Sequence, residues 1–100
     1  MNKLTIDATD KRSTTISLQL DKRIDKITKI AKPRTQITLL LIDEILKKNN
    51  LTVNEIDEIK VNTGPGSFTG TRIGVAVANA LGFGLSIKIN GKPLVEPRYN

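Results

Sequence analysis

Asn62–Gly74, NTGPGSFTGTRIG, is the stretch on which the reading of this chain turns. It packs four glycines, one proline and four hydroxyl side chains (Thr63, Ser67, Thr69 and Thr71) into thirteen residues. An alternating run, EIKVN, leads into it, and an Ala-rich apolar run follows. Period-two alternation that gives way to helical spacing marks a strand, a glycine turn and a helix start. Free N–H groups and the helix dipole at such a junction favour an anion, with Ser67 and Thr69 as added hydroxyl donors. The competing reading is a strand–helix turn whose Ser and Thr only cap the helix.

Two known phosphate loops are excluded by spacing. A Walker A loop needs a glycine five residues after its first, then lysine; from Gly64 and Gly66 those positions are Thr69 and Thr71. The dinucleotide pattern G-x-G-x-x-G fails because Gly64, Gly66 and Gly70 are spaced differently and no acidic residue follows about twenty positions later.

Outward from the loop, helical spacing predicts a helix over 70–84 that is apolar all round, which implies burial on nearly every side. Gly74, Ala78 and Gly82 recur every four residues and form a small-residue stripe where another helix can approach closely. Upstream, TQITLLLIDEILKKNN predicts a helix near 35–48 with Thr35 as N-cap and Lys47 and Lys48 at its C-terminal end. Its apolar residues, Leu41 and Ile45 among them, span more than half the circumference at about 100° per residue, too wide an arc for one sheet face. Strands are expected at Leu4–Ala8, Thr14–Leu20, Ile24–Ile30, across Ile59 and Val61, and at Ser86–Asn90, with a capped turn at Thr52–Glu55. The expectation is an α/β fold of order β-β-β-α-β-α-β: an antiparallel meander in a mixed five-stranded sheet, with the last two strands parallel to one another.

Composition narrows the chemistry. The 100 residues suit one domain. With no cysteine and no histidine, disulfides, thiolate metal sites and His-based acid–base catalysis are out. Aromatics are limited to Phe68, Phe83 and Tyr99, so the core must be aliphatic. The net charge of +6 admits an acidic partner, but the lysines are scattered with no aromatic between them for base stacking. No apolar run fits a signal peptide or a membrane span, so a soluble, cytoplasmic chain is expected.

GPGSFTGTRIG, Gly64–Gly74, resembles the G-P-G-S-F-T-G-x-R-I-G signature of the TsaB (YeaZ) family at every fixed position. IDAT (Ile6–Thr9), LLLIDEIL and LTVNEIDEIKV are similar to family segments too, so the resemblance covers residues 2–91. It implies one lobe of the actin/Hsp70-like (ribonuclease H-like) ATPase fold over 1–91, with 92–100 as a C-terminal tail and the second lobe absent. It further implies a non-catalytic subunit that pairs with TsaD, the enzyme that transfers a threonylcarbamoyl group to adenosine 37 of certain tRNAs. That contact would be a helical bundle, here carried by Leu41, Ile45, Gly74, Ala78, Leu81 and Gly82 on the helices near 35–48 and 70–84. A TsaE-like ATPase joins at the junction, tRNA is reached through the complex, and a homodimer is open to the isolated chain. No cofactor is expected to bind independently, ATP or ADP being confined to a partner interface. The alternative is a phosphate-binding fragment of an actin-like ATPase, with Asp7 near a metal and Gly64, Gly66, Ser67, Thr69 and Gly70 around the phosphate. Two departures stand out: the histidine that the family usually carries in the first helix region, before its L-L-P motif, is missing from RTQIT (34–38), and Ile42 or Asp43 stands near the expected proline.

Overall fold

The computed structural model describes residues 1–98. Strands β1 (Lys3–Asp7), β2 (Ser13–Gln19) and β3 (Ile24–Ile30) form the expected meander. Helix α1 (Arg34–Lys48), one 3-10 turn (Val53–Glu55), strand β4 (Glu58–Val61) and helix α2 (Phe68–Leu85) follow. The sheet order is β3-β2-β1-β4. β1 pairs antiparallel with β2 (Ile6 opposite Ile16) and parallel with β4 (Leu4 opposite Ile59), and α1 carries the chain from β3 at one edge of the sheet to β4 at the other.

Alternation along each strand sorts the sheet into two faces. Leu4, Ile6, Ile16, Leu18, Ile59 and Val61 point to one side and are buried beneath both helices. Thr5, Asp7, Thr15, Ser17, Thr28 and Lys60 point to the other, polar side. Thr38, Leu41, Ile42, Ile45 and Leu46 complete the core from α1, and Gly74, Val75, Val77 and Ala78 from α2. The arc of α1 is indeed too wide for the sheet: Leu39 and Leu40 stay 49% and 55% exposed.

Three expectations need correction. The fifth strand does not form. α2 runs on to Leu85 and ends in a left-handed cap at Ser86 (φ 57°), which leaves little chain before Asn90 (φ 53°) and Gly91 (φ 75°) turn it back. Ile89 makes one parallel bridge to Ile59. The Asn90 side chain then does what a strand would do, accepting from Val61 N (2.9 Å) and donating to Val61 O (3.0 Å). Thr35 is not the cap of α1 either: the helix begins at Arg34, after Pro33, because Arg34 is drawn into the β1–β2 turn. Nor is α2 buried on nearly every side, since Thr69, Arg72, Ala76, Ala80 and Phe83 form an exposed stripe. The 92–100 tail folds back over α2 as far as it is described, and Tyr99 and Asn100 lie outside the described residues. Among the described residues no helix is long and apolar enough to cross a membrane.

Candidate functional site

The glycine loop sits where β4 leaves the sheet, beside the turn after β1. Asp7 ends β1, and its carboxylate accepts from Thr9 N (3.0 Å), Thr9 Oγ1 (2.7 Å) and Asn62 Nδ2 (3.2 Å). Burial pushes this carboxyl up, but the Thr9 and Asn62 hydrogen bonds outweigh it, and the net shift is below the usual Asp value. Asn62 turns its other amide atom to Gly64 N (3.0 Å), and so links the carboxylate to the loop. Ser67 N donates to Thr9 O at 2.6 Å, with Gly66 packed directly on Thr9. The Ser67 hydroxyl accepts from Gly70 N at 3.2 Å as the N-cap of α2. Loop and turn are therefore bound to each other. Asp7, Ser67 and part of the helix N-terminus are engaged within the fold, which is the geometry of the strand–helix turn. Thr69 points elsewhere, into a groove between the helices.

Arg34, which carried no sequence signal in the loop motif, is the centre of this junction. Its buried guanidinium donates to Thr14 Oγ1 (3.0 Å) and to the carbonyls of Ala8 (3.0 Å), Asp10 (3.2 Å), Lys11 (3.1 Å) and Ser13 (2.9 Å). One fork gathers four carbonyls at the β1–β2 turn, and Gly70 lies against the same Ala8 carbonyl and the guanidinium. A hint was available: a cation in the first turn of a helix opposes the helix dipole and needs another reason to be there. Asn79 acts similarly at the far end, accepting from Val95 N (3.0 Å) and donating to Val95 O (2.9 Å), while Arg98 N reaches Thr63 O (2.6 Å).

Of the residues expected to meet a partner helix, Leu41, Ile45, Gly74, Ala78 and Gly82 are buried and Leu81 half-buried. Gly74 faces Ile6 of β1 and Ala8 just after it, and Gly82 faces Ile89. Gly74 thus lets α2 lie close on β1 and Gly82 lets it lie close on the segment that follows the helix, so the buried members of this set are packed within the monomer, while Leu81 keeps part of its surface exposed. The physical reason is that helical spacing shows which residues share a face but not what that face meets. We expect Ala78→Leu to lower stability by about 1–3 kcal/mol by overpacking. Urea unfolding checks this, and an unchanged midpoint would mean the stripe is not in the core.

The outward face is different. Thr35 and Leu39 of α1 and Thr69, Arg72, Ile73, Ala76, Ala80 and Phe83 of α2 follow one another at helical spacing. Thr35, Thr69, Arg72, Ile73 and Ala76 line a groove of about 340 Å³ at the N-terminal ends of both helices. Arg72 lies over the Phe68 ring (5.3 Å), and Phe83 is 88% exposed. Small residues flanked by large apolar ones suit a surface that admits another helix.

Comparison with known proteins agrees with the signature. The family model described as "TsaD: tRNA N6-adenosine threonylcarbamoyltransferase" matches residues 22–91. The tRNA threonylcarbamoyladenosine biosynthesis protein TsaB of Haemophilus influenzae is 37% identical over 92 residues, covering 89% of this chain and 39% of that protein. TsaB of Buchnera aphidicola subsp. Baizongia pistaciae is 49% identical over 53 residues, which are 53% of this chain and 24% of the relative. YeaZ from Pseudomonas aeruginosa superposes with a TM-score of 0.83 at 24% identity, over 89% of this chain and 43% of that one. The chain spans 39% of the length of the Haemophilus influenzae relative and 43% of the Pseudomonas aeruginosa chain. With the Gly64–Gly74 signature, a family model that matches most of its length and the YeaZ fold beneath both, the chain belongs to the TsaD family of tRNA N6-adenosine threonylcarbamoyltransferases, in its TsaB (YeaZ) branch.

Proposed function

We propose that this chain is a non-catalytic partner subunit in the synthesis of threonylcarbamoyladenosine on tRNA, and that it pairs with a TsaD-like enzyme through the outward faces of α1 and α2. The observation that carries this reading is the exposed apolar seam of Leu39, Leu40, Ala76, Ala80 and Phe83, on a chain of the TsaB branch. Buried area at such a seam is productive only if a partner excludes water from it. Arg72 and Thr69 add polar groups at its rim. The engaged state of Asp7 and Ser67 supports a loop that orders the start of α2 rather than one that holds phosphate. In this reading ATP or ADP, and a TsaE-like ATPase, belong to the assembled complex, tRNA is met there, and the complex works in the cytoplasm.

The test is light scattering and sedimentation of the chain mixed with a TsaD-like protein from the same source. A one-to-one complex is expected, and Phe83→Asp with Leu40→Asp should weaken it at least ~30-fold, the scale of losing a central apolar anchor. Ser67→Ala should leave it assembled. A chain indifferent to the enzyme, or a complex indifferent to both aspartates, overturns the reading.

A further inference from the structure

A second surface, on the opposite edge of the sheet, has no role in that reading. β3 is an edge strand of seven residues, paired with β2 on one side only. Its flanks are apolar and uncovered: Ile24 is 65% exposed and Ile30 72%. They stand on the polar face of the sheet, three positions either side of Ile27. Asp25 and Lys29 stand two positions either side of Ile27, on the other face, with opposite charge. The strand is therefore self-complementary about its own centre, which is what a two-fold interface requires.

The backbone parity agrees. Leu20 N bonds Arg23 O (2.8 Å) at the β2–β3 turn, and in an antiparallel ladder every second residue onward then bonds the same neighbour. Asp25, Ile27 and Lys29 thus face β2, and Ile24, Lys26, Thr28 and Ile30 turn their N–H and C=O groups outward. Lys26 N confirms the phase, since it donates not across to β2 but to Asp25 Oδ1 (3.0 Å). We infer that β3 docks on β3 of a second copy of this chain, antiparallel about Ile27. In that register the outward residues form the hydrogen-bonded pairs, Ile24 with the second copy's residue 30 and Lys26 with its residue 28, the Lys26 N–H exchanging its bond to Asp25 Oδ1 for the carbonyl of the second copy. Asp25, whose carboxylate accepts from Asn49 Nδ2 (3.0 Å) and lies 3.5 Å from Lys48 Nζ within the monomer, then adds Lys29 of the second copy across the close, non-hydrogen-bonded positions. A shift by one residue would set outward groups against inward ones, and a shift by two would unpair both isoleucines and both ion pairs. Lys26 and Lys29, which in a monomer guard the edge against indiscriminate pairing, each find a neutral or acidic partner in this register.

The experiment is sedimentation across a concentration series, with circular dichroism to confirm folding. A dimer is expected. Thr28→Pro removes an outward N–H that β2 does not use, so it should leave the monomer folded and weaken the dimer at least ~tenfold. Lys29→Asp should dissociate the dimer by setting Asp25 against a carboxylate, and Asp25→Lys together with Lys29→Asp should restore it. Monomers at every concentration overturn the inference. So does a dimer that withstands Thr28→Pro and Lys29→Asp but is dissociated by Phe83→Asp, because it would be held by the helices. Restoration by the double swap is the result that a merely structural role for Asp25 does not give.

Discussion

Replacing Arg34 with alanine is expected to cost about 3–5 kcal/mol of folding stability. The guanidinium is the donor to Thr14 Oγ1 and to four main-chain carbonyls of the β1–β2 turn, and the side chain is 8% exposed. Hydrogen bonds from a charged donor contribute about 1.5–3 kcal/mol each in favourable cases, and stranded buried acceptors add a desolvation cost. Because these bonds share one donor group, their losses do not sum. Arg34→Lys should recover less than half, since one ammonium cannot reproduce the planar fork that sends Nε to Thr14 Oγ1, Nη1 to the Lys11 carbonyl and Nη2 to the carbonyls of Ala8, Asp10 and Ser13. Urea unfolding with an unchanged slope measures both. A loss below about 1 kcal/mol for the alanine variant would show that water serves the carbonyls as well as Arg34 does.

Gly70→Ala is expected to be a severe single-methyl change, on the order of 2–4 kcal/mol. Its added Cβ would overlap the Ala8 carbonyl oxygen and come within 2.8 Å of Arg34 Nη2. The obstacle is backbone on one side and a fully bonded guanidinium on the other, so neither can yield cheaply. The loss should therefore be coupled to Arg34: in the Arg34→Ala background Gly70→Ala should cost less, a difference a double-mutant cycle reads directly. Gly74→Ala is the control. Its Cβ would meet Ala8 Cβ at 3.4 Å, ordinary contact, and we expect a change within about 1 kcal/mol of zero. Equal losses at the two glycines would mean that crowding at Ala8 is not what Gly70 relieves.

These two positions also show where reading the sequence succeeds. The strand–turn–helix around Gly64–Gly74 was legible because each step leaves a local mark: alternation in EIKV, glycines where the chain turns, Ser67 three residues before the N–H it caps. The meander was legible for the same reason, since Leu4, Ile6, Ile16 and Leu18 alternate with polar neighbours whether or not the sheet is present. The site was less legible. Asp7 and Ser67 belong to the motif, yet their partners Thr9, Asn62 and Gly70 close the geometry within the fold. The fifth strand failed for a reason outside its own residues, because α2 ran on to Leu85 and Asn90 met Val61 with its side chain.

By itself the sequence determined the period of both helices and of the strands around Leu4, Ile16 and Ile59, the aliphatic character of the core, the absence of cysteine and histidine chemistry, and the family. Only the tertiary structure decided which way the helices face. Gly74, Ala78 and Gly82 could serve a partner helix or a sheet equally well, because both demand small residues at four-residue spacing. The interior of the fold claimed them, Gly74 against Ile6 and Ala8 and Gly82 against Ile89, and this left Leu39, Ala76, Ala80 and Phe83 for the outside. Arg34 was decided in the same way: five acceptors separated from it by twenty or more positions in sequence meet it only once the β1–β2 turn closes on the start of α1. Local spacing is a property of the chain, whereas the identity of the neighbour is a property of the packed whole.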